Sequence, residues 1–377
     1  MSDFLIVGAG INGLLTAREL VRSGATVTLI ERGELATESS WAGGGIVSPL
    51  YPWRYPTAIT RLASWAQEFY PQLHTELMRE TGVDAELLQG GLLMLEAEDS
   101  QEALAWAEAN RRAVRAVDKE FIYQQEGQLA SGFTRGIWMP TVAQIRNPRL
   151  CQALSAWLHR HSQVSVLTNR EVTRLNCSRG RVRSVETVDS KTRRELSIAV
   201  SQLVITAGAW AGTVLKRLLP DLAVVPVKGQ MLLFKLPRPV TRSIVLTRGR
   251  YLIPRGDGHL LAGSTLEFSG FNKSTTRDAK LSLLASARSL LPLLDAVQPV
   301  LQWSGLRPGS GDGLPFIGRL SDWDNVALNA GQYRNGLVLA PASAHLLADL
   351  LLGREPIVDP EPYRPDRVVP MRVVDSA

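Results

Sequence analysis

Cysteine and histidine are scarce in this chain of 377 residues, which has two cysteines and five histidines. Cys151 and Cys177 lie far apart without the spacing of metal ligands, so the sequence predicts neither a metal site nor a disulfide framework. We expect both to be buried, reduced thiols, as in a reducing compartment. The expected location is therefore the cytoplasm.

Long apolar runs are also absent. No uninterrupted apolar stretch approaches the ~20 residues that a membrane span needs. The apolar run near the N-terminus carries Asp3 in place of the basic residues that open a secretion signal. We therefore expect no transmembrane segment and no cleavable signal.

Neither sign of charge is concentrated in one stretch. The net charge is +6 and the pI is about 9.5, values that would allow contact with nucleic acid or an anionic surface. The densest basic groups, at 111–112, 179–183 and 191–194, lie in segments predicted as solvated helix faces and hairpin tips. No nucleic-acid partner is therefore expected, and the length and composition are those of a globular protein of two domains.

Glycine is concentrated in one pattern near the N-terminus. Four apolar residues at 4–7 lead into Gly8-Ala9-Gly10-Ile11-Asn12-Gly13, and a helical pattern follows to Gly24. In such a pattern the first glycine permits a turn, the second lets the backbone approach a pyrophosphate, and the third lets helix and strand pack closely. A second predicted strand ends at Glu31, where a carboxylate can hold a ribose 2′-hydroxyl. The stretch predicts a dinucleotide site, and an ordinary turn between strand and helix is the alternative.

A second glycine-rich stretch follows Ser39 and Ser40. Gly43-Gly44-Gly45 stands directly before Ile46. Because glycine has no side chain, such a backbone can lie close to a bulky ligand. A mobile loop is the alternative interpretation.

Buried strand patterns indicate a discontinuous fold. The run 203–210 predicts a further strand of the first sheet, which ends in Ala207, Gly208 and Trp210 at the edge that carries Gly8. Four runs separated by turn residues predict an antiparallel sheet: 224–236, 244–247, 251–254 and 259–262. Helices are expected at 59–81, 101–117 and 277–291.

The predicted architecture is therefore α/β with two domains. A discontinuous Rossmann-like domain is expected to comprise residues 1–50, 141–219 and 307–377. An α+β substrate domain with an antiparallel sheet is expected to comprise residues 51–140 and 220–306.

Two arginines near the C-terminus are candidates for binding a carboxylate. Arg307 is expected at the end of a strand that Pro308 stops, and Arg334 lies in a glycine turn before an apolar helix. A guanidinium holds a carboxylate through two parallel hydrogen bonds. The alternatives are a structural Arg307 paired with Asp312, and an Arg334 that braces its loop or contacts a cofactor.

These blocks together resemble a known family. The N-terminal fingerprint looks like that of the D-amino acid oxidase superfamily of flavoproteins, and so do three later blocks: Ile205-Thr-Ala-Gly-Ala-Trp210, Gly305-Leu-Arg-Pro308 with Asp312-Gly-Leu-Pro315-Phe-Ile-Gly318, and Gly331-Gln-Tyr-Arg-Asn-Gly336. Within this superfamily the chain is most similar to the bacterial glycine oxidases of thiamine biosynthesis. The resemblance spans nearly the whole chain, and its last two blocks are the most specific.

The resemblance implies that the discontinuous domain binds FAD. Related sarcosine oxidases attach flavin to a cysteine just after the matching arginine, and this chain has none there, so FAD is expected to be noncovalent. The residues expected to hold it are Gly8, Ala9, Gly10, Ile11, Asn12, Gly13, Glu31, Arg32, Ser39, Ser40, Gly43, Gly44, Gly45, Ile46, Val172, Ala207, Gly208, Trp210, Gly331, Tyr333, Arg334, Asn335, Gly336 and Leu337.

The resemblance also implies the substrate site. Arg307 would bind the substrate carboxylate, and Tyr251 would match the active-site tyrosine, with Arg334 as the third candidate catalytic residue. Leu266 would line the substrate pocket where the family carries a methionine. Gly249 stands where a histidine is expected, and these two departures bear on the size of the substrate.

The implied reaction is oxidative deamination of glycine or another small amino acid or secondary amine. Hydride transfer to flavin N5 would give a 2-oxo acid, ammonia or an amine, and hydrogen peroxide, with dioxygen or another acceptor taking the electrons. The alternatives are a D-amino acid or secondary-amine dehydrogenase with a quinone or protein acceptor, a flavoenzyme acting on a glycine-like tRNA modification, and a flavin-binding protein or subunit without turnover. The sequence leaves the number of subunits open, a homo-oligomer included.

Overall fold

The computed structural model describes residues 1–369, and the last part of the predicted segment 307–377 lies outside the described residues. Within residues 1–369 the helices are α1 (Ile11–Arg22), α2 (Ser39–Ala42), α3 (Thr57–Thr81), α4 (Ser100–Ala109), α5 (Lys119–Gln125), α6 (Asn147–His159), α7 (Ala211–Leu215), α8 (Arg277–Leu290) and α9 (Gly336–Leu352).

The strands in the same part of the chain are β1 (Phe4–Val7), β2 (Val27–Ile30), β3 (Ile46–Val47), β4 (Leu92–Leu95), β5 (Arg115–Asp118), β6 (Arg135–Met139), β7 (Ala143–Gln144), β8 (Val164–Leu167), β9 (Arg170–Ser178), β10 (Arg181–Asp189), β11 (Glu195–Ala199), β12 (Gln202–Ile205), β13 (Val224–Lys235), β14 (Ile244–Thr247), β15 (Arg250–Pro254), β16 (His259–Gly263), β17 (Leu301–Ser310), β18 (Phe316–Arg319) and β19 (Val326–Ala330).

One sheet carries the N-terminal glycine motif. Its six strands run in the order β18-β19-β12-β1-β2-β8, and β1 pairs in parallel with β2 and β12. Both faces of β1 are covered, because Phe4 and Ile6 pack with α1, α6 and α9 while Leu5 and Val7 pack toward the three-stranded sheet β11-β10-β9. A strand that is buried on both faces needs apolar residues at successive positions, which explains the continuous apolar run at 4–7. The prediction that this sheet resumes near residue 203 is confirmed.

The second large sheet is mostly antiparallel. Its eight strands run in the order β17-β13-β16-β15-β14-β4-β6-β5, and β14 with β4 is the parallel pair. Three of these strands come from residues 92–139 and the others from residues 224–310. The predicted antiparallel sheet is thus confirmed, with contributions from two separate segments of the chain.

Helix α3 packs differently from the strands that follow it. Its buried residues, among them Ile59, Leu62 and Leu73, belong to the apolar cluster of α1, α6 and α9. The hydroxyl of Tyr70 also donates a hydrogen bond to the carbonyl of Leu337 at the start of α9. The division into two domains stays a prediction, and this packing places α3 with the dinucleotide fold although it lies within residues 51–140.

Two local predictions were wrong. The helix expected at 101–117 ends at Ala109 because Arg111 adopts a left-handed φ of 52°, and residues 115–118 form β5 instead. The strand expected to stop at Arg307 continues through Pro308 to Ser310. β17 is an edge strand of its sheet, where proline can lack an N–H without breaking the ladder on the outer side.

The cysteines differ in their exposure. Both are free thiols; Cys151 is buried, and burial raises the pKa of its thiol to about 12. Cys177 is exposed near the end of β9, so the prediction that both thiols are buried was wrong for Cys177.

One stretch has the length and composition of a membrane span. Tyr333–Leu352 has a mean hydropathy of 1.4 over its most apolar window, but 72% of that window is buried inside the fold. The core helix of a globular protein has the same properties, so the stretch is weak support for a membrane span.

Candidate active site

A cavity of about 670 Å³ is lined by residues of both large sheets and of the helices that begin beside them. Its wall includes most residues that the sequence predicted for a site: Gly8, Gly10, Ile11, Asn12, Glu31, Arg32, Ser39, Ser40, Gly43, Gly44, Gly45, Ile46, Val172, Ala207, Gly208, Trp210, Tyr251, Arg307, Tyr333, Arg334, Asn335, Gly336 and Leu337. Positions more than 300 residues apart in the chain therefore meet around one space.

Four predicted residues are not among those that line the cavity: Ala9, Gly13, Gly331 and Leu266. Two of the glycines shape the wall from behind, since a Cβ on Gly13 would lie 2.0 Å from the carbonyl oxygen of Gly8 and one on Gly331 would lie 2.9 Å from the Phe316 ring. Leu266 lies in a segment that turns toward β13, where Glu267 and Lys228 exchange two backbone hydrogen bonds of 2.9 Å. Leu266 itself is not among the residues that line the cavity, and its place in the substrate pocket stays a prediction.

The first turn has the backbone of a phosphate-binding loop. Gly8 has a φ of +104°, and a Cβ there would lie 2.6 Å from the carbonyl oxygen of Thr206 on the neighbouring chain segment. Helix α1 begins at Ile11, whose N–H donates to Ser40 Oγ at 2.9 Å. The N-terminus of a helix at such a turn attracts anions through its exposed amides and its dipole.

Glu31 holds the turn together. Its carboxylate oxygens accept hydrogen bonds from the N–H of Ala9 at 2.9 Å and from the N–H of Gly33 at 3.0 Å. The carboxylate lines the cavity as well. Its predicted contact with a ribose hydroxyl stays a prediction.

Aromatic and cationic groups stack at the same end of the cavity. The Arg32 guanidinium lies 3.7 Å from the centre of the Trp210 ring, and Phe271 stacks on that ring with centroids 5.4 Å apart. Lys273, two residues after Phe271, forms an ion pair with Glu38 at 3.0 Å. The segment around Phe271 therefore connects the second sheet to the loop that precedes α2.

Sequence reasoning missed three side chains that support the glycine triplet and the residues before it. Asn147 Nδ2 donates to the carbonyl of Ser40 at 3.1 Å, and Arg255 donates to the carbonyl of Gly44 at 2.9 Å and to Gln144 Oε1 at 2.8 Å. The sequence predicted the turn that starts at Arg255 as a hairpin tip, and the hairpin is present, but Arg255 itself is 5% exposed. A hairpin tip carries no sequence signal for such burial.

Arg307 and Tyr251 come from two strands of the second sheet that are not adjacent. Arg307 lies on β17 and Tyr251 on β15, with β13 and β16 between them. Glycines make the room: a Cβ on Gly229 of β13 would lie 2.2 Å from Nη1 of Arg307, and one on Gly263 of β16 would lie 2.7 Å from the Tyr251 ring. Glycine inside a strand often marks a close approach, and this signal could have found both positions.

The Arg307 guanidinium is anchored without a carboxylate. Nη2 donates to Ser264 Oγ at 2.8 Å and Nη1 donates to the carbonyl of Thr265 at 3.2 Å. Asp312, the predicted alternative partner, instead forms an ion pair with Arg367 at 2.9 Å. Burial lowers the pKa of the Arg307 guanidinium, and the like charge of Arg334 acts in the same direction. An anionic ligand would offset both effects.

The start of α9 completes the wall. A single 3₁₀ turn, Tyr333–Asn335, leads into α9 at Gly336, and these residues with Leu337 line the cavity. A helix of 17 residues thus begins at the cavity, with the positive end of its dipole toward it.

The site suits a dinucleotide better than a metal ion. Gly8 and Gly13 leave room that a Cβ would fill, and Asn12 Oδ1 is a buried wall atom with no hydrogen-bond partner among the described residues. Residues 1–369 contain no group of three or more His, Cys, Asp or Glu side chains that could hold a metal ion. The wall therefore fits a bound group that brings a pyrophosphate and hydrogen-bond donors.

The fold and the site together define an FAD-dependent oxidoreductase. A family model described as FAD dependent oxidoreductase, DAO, matches residues 3–350, and the chain belongs to this family.

Similar proteins within and around this family act on small amines. The chain is 51% identical over 361 residues to a glycine oxidase of Pseudomonas aeruginosa, with 96% of this chain and 98% of that protein covered. The crystal structure of glycine oxidase from Geobacillus kaustophilus superposes with a TM-score of 0.91 at 27% identity, covering 98% of this chain and 99% of that one. The iminodiacetate oxidase of Chelativorans superposes with a TM-score of 0.83 at 25% identity, covering 96% and 98%.

Proposed function

We propose that this protein oxidises glycine or another small amino acid or secondary amine with noncovalent FAD as its cofactor and dioxygen as the electron acceptor. The observation that carries the proposal is the Arg307 guanidinium, which lines the same cavity as the dinucleotide-binding turn and is held by neutral groups alone. The glycine oxidases that resemble the chain over nearly its whole length support this choice of substrate.

Arg307 is the group that holds the substrate. Its hydrogen bonds to Ser264 and Thr265 fix the plane of the guanidinium, and planar guanidinium binds a carboxylate through two parallel hydrogen bonds. The Tyr251 side chain closes the space beside it, because its ring lies against Gly263 and its hydroxyl is 4.0 Å from Met231 Sδ. This leaves a position for a small zwitterion.

Within residues 1–369 the cavity wall offers neither histidine nor aspartate as a general base for removing a proton from carbon, while Lys216, Tyr251 and Tyr333 line it. Among the described residues that line the cavity there is no histidine or cysteine, and the carboxylates are those of Glu31, Glu38 and Glu171. Glu31 accepts from two backbone amides and Glu38 pairs with Arg32 and Lys273. Glu171 is exposed on the hairpin strand β9. In the proposed reaction the α-hydrogen leaves as hydride, which needs no base at carbon, from a neutral amine that the site orients.

The residues that would hold FAD are those of the first turn, the glycine triplet and the start of α9. When bound, FAD would supply the acceptor for the hydride of the α-carbon, and dioxygen would take up the two electrons and become hydrogen peroxide. The substrate nitrogen loses a proton to give an imine, and water hydrolyses the imine to a 2-oxo acid and ammonia or an amine. Neither Cys151 nor Cys177 lines the cavity, which supports noncovalent binding.

The experiment is a substrate panel on the purified holoenzyme. Glycine, sarcosine, D-alanine, D-proline and iminodiacetate are supplied under air and peroxide is measured, while a parallel series follows anaerobic bleaching of the flavin. We expect bleaching and peroxide with glycine or sarcosine. Bleaching without peroxide would identify a dehydrogenase, and no bleaching by any member of the panel would reject the proposed substrate class.

A further inference from the structure

Arg255 is a buried cation directly behind the glycine triplet. It is 5% exposed and is not among the residues that line the cavity, whereas Gly43-Gly44-Gly45 lines it. Its two terminal nitrogens donate to Gln144 Oε1 at 2.8 Å and to the carbonyl oxygen of Gly44 at 2.9 Å. A buried guanidinium thus donates hydrogen bonds to a neutral side-chain amide and to one peptide carbonyl of the cavity wall.

The geometry of a peptide fixes what lies on the other side. The peptide between Gly44 and Gly45 is trans, and in a trans peptide the N–H points opposite to the C=O. Because the carbonyl of Gly44 faces Arg255, the N–H of Gly45 points away from Arg255, and Gly45 lines the cavity. Within residues 1–369 neither Gly44 N–H nor Gly45 N–H donates a hydrogen bond.

Gly45 is held closely by its neighbours. Its φ is +83°, its carbonyl accepts from the N–H of Ile145 at 2.8 Å, and a Cβ there would lie 2.0 Å from the carbonyl oxygen of Ile145. Two successive peptides are thus held, that of the Gly44 carbonyl by Arg255 and that of the Gly45 carbonyl by Ile145.

The triplet faces the substrate end of the cavity. A Cβ on Gly44 would lie 3.5 Å from the Tyr251 ring and 3.6 Å from Met231 Cε, and Tyr251 is the neighbour of Arg307 across the sheet. The triplet therefore lies beside residues of the substrate end of the cavity.

The charge of Arg255 is only partly compensated. The nearby carboxylates Asp257 and Glu86 both form ion pairs with Arg146, at 2.7 and 2.8 Å. Burial lowers the pKa of the Arg255 guanidinium to about 10, and Arg146 acts in the same direction, but the group keeps its proton at neutral pH. A buried charge acts on its surroundings more strongly than an exposed one, because water screens it less.

We propose that Arg255 is a positioning residue that aims the N–H of Gly45 at the redox-active ring of the cofactor and polarises it, so that the ring accepts electrons and nucleophiles more readily. A cation on a peptide carbonyl makes the N–H of the same peptide a stronger donor. The proposal rests on the proposed function only in the identity of the cofactor, because it concerns the ring and not the amine.

The test measures the ring and not turnover. Holoenzymes of the wild type, Arg255→Met, Arg255→Gln and the control Arg79→Met are titrated anaerobically for midpoint potential against a reference dye, and with sulfite, which adds to the electron-poor ring of flavins. Arg79 carries one charge at a side chain that is 70% exposed on α3. We expect the sulfite Kd of Arg255→Met to rise about tenfold, the size of one charge-assisted hydrogen bond, with a lower midpoint potential.

The remaining variants decide the outcome. Arg255→Gln keeps a donor without the charge, so its sulfite Kd is expected between those of the wild type and Arg255→Met, while Arg79→Met matches the wild type. If Arg255→Met does not fold, Arg255→Gln alone decides. Wild-type potential and sulfite affinity in the Arg255 variants would overturn the proposal, and so would an equal change in Arg79→Met. A holoenzyme that reacts with sulfite but is not bleached by amines would reject the proposed substrate and leave this inference standing.

Discussion

The two ends of the cavity are built in different ways. At the glycine turn, Gly8, Gly13 and the first amides of α1 act through the backbone, and all lie within a few residues of one another. At the substrate end, Arg307 and Tyr251 act through side chains on separate strands, and their room comes from glycines on two further strands. One end is a local motif and the other is an assembly of distant segments.

This difference has a physical origin. A phosphate is held by backbone N–H groups, which every residue except proline carries. The sequence is therefore constrained only at the positions where a side chain would block the phosphate and glycine is needed. A carboxylate is held by a guanidinium whose plane must be fixed, so the constraint falls on whichever neighbours fix it. Substitutions at the two ends should therefore fail differently, in cofactor retention at one and in substrate affinity at the other.

The largest effect is expected from Arg307→Ala. Removing the guanidinium leaves a substrate carboxylate without its charge partner, and kcat/KM for glycine should fall by about 10³-fold, mainly through KM. Flavin content should stay at the wild-type level, because no residue of the glycine turn changes. Steady-state assays with the flavin absorbance of the same preparations measure both quantities.

Arg307→Lys separates the contribution of the charge from that of the paired hydrogen bonds. The ammonium keeps the charge but cannot form two parallel hydrogen bonds, so the loss should lie between wild type and Arg307→Ala. If Arg307→Ala kept its affinity for glycine, or if it lost its flavin, the separation between the two ends would be wrong.

The second effect concerns the glycine turn. In Gly13→Ala the new Cβ would lie 2.0 Å from the carbonyl oxygen of Gly8 and 2.8 Å from Thr206 Oγ1. Relieving such a clash costs about 1–3 kcal/mol and displaces the turn, so the protein should purify with little FAD and a lower Tm. Gly256→Ala is the control, because nothing lies within 4 Å of a Cβ at that position. If Gly13→Ala purified with its full content of flavin, the hypothesis that this turn binds the cofactor would be rejected.

The contrast also explains what could be predicted from the sequence. The sheet at 203–210, the antiparallel strands and the cavity position of Gly8, Glu31 and Arg307 followed from local patterns, because strand periodicity and glycine spacing are set by neighbours in the chain. The helix expected at 101–117 failed at Arg111, whose left-handed backbone is not visible in the periodicity. The roles of the individual residues toward cofactor and substrate stay predictions.

The residues that support the site could not be predicted from local sequence patterns. Arg255 binds Gly44 from a segment about 210 residues away, and Gln144 binds Arg255 in turn. Asn147 binds Ser40 from about 100 residues away, and Ser264 orients Arg307 across the sheet. Each is an ordinary polar residue near the end of a strand or helix in the sequence, and its burial is decided by tertiary packing.

A smaller effect is expected from Ser264→Ala, which removes the hydroxyl that accepts from Nη2 of Arg307. Loss of one hydrogen bond to a charged group should raise KM for glycine about tenfold and leave kcat and flavin content nearly unchanged. Ser264→Thr keeps the hydroxyl and should restore most of the affinity. A fall in kcat with an unchanged KM would contradict the positioning role of Ser264 and place it in the chemical step.

The smallest effect is expected at Leu266. This residue was predicted to line the substrate pocket, and it is not among the residues that line the cavity. Leu266→Met conserves volume, so KM for glycine and for sarcosine should each stay within about twofold of the wild type, and the change in Tm should correspond to less than about 1.5 kcal/mol. Measuring the ratio of kcat/KM for the two amines isolates any effect on substrate size from a general loss of activity. A tenfold change in that ratio would place residue 266 in the substrate pocket. It would also show that, at the substrate end and unlike at the glycine turn, family resemblance identifies the site residues better than the lining of the cavity does.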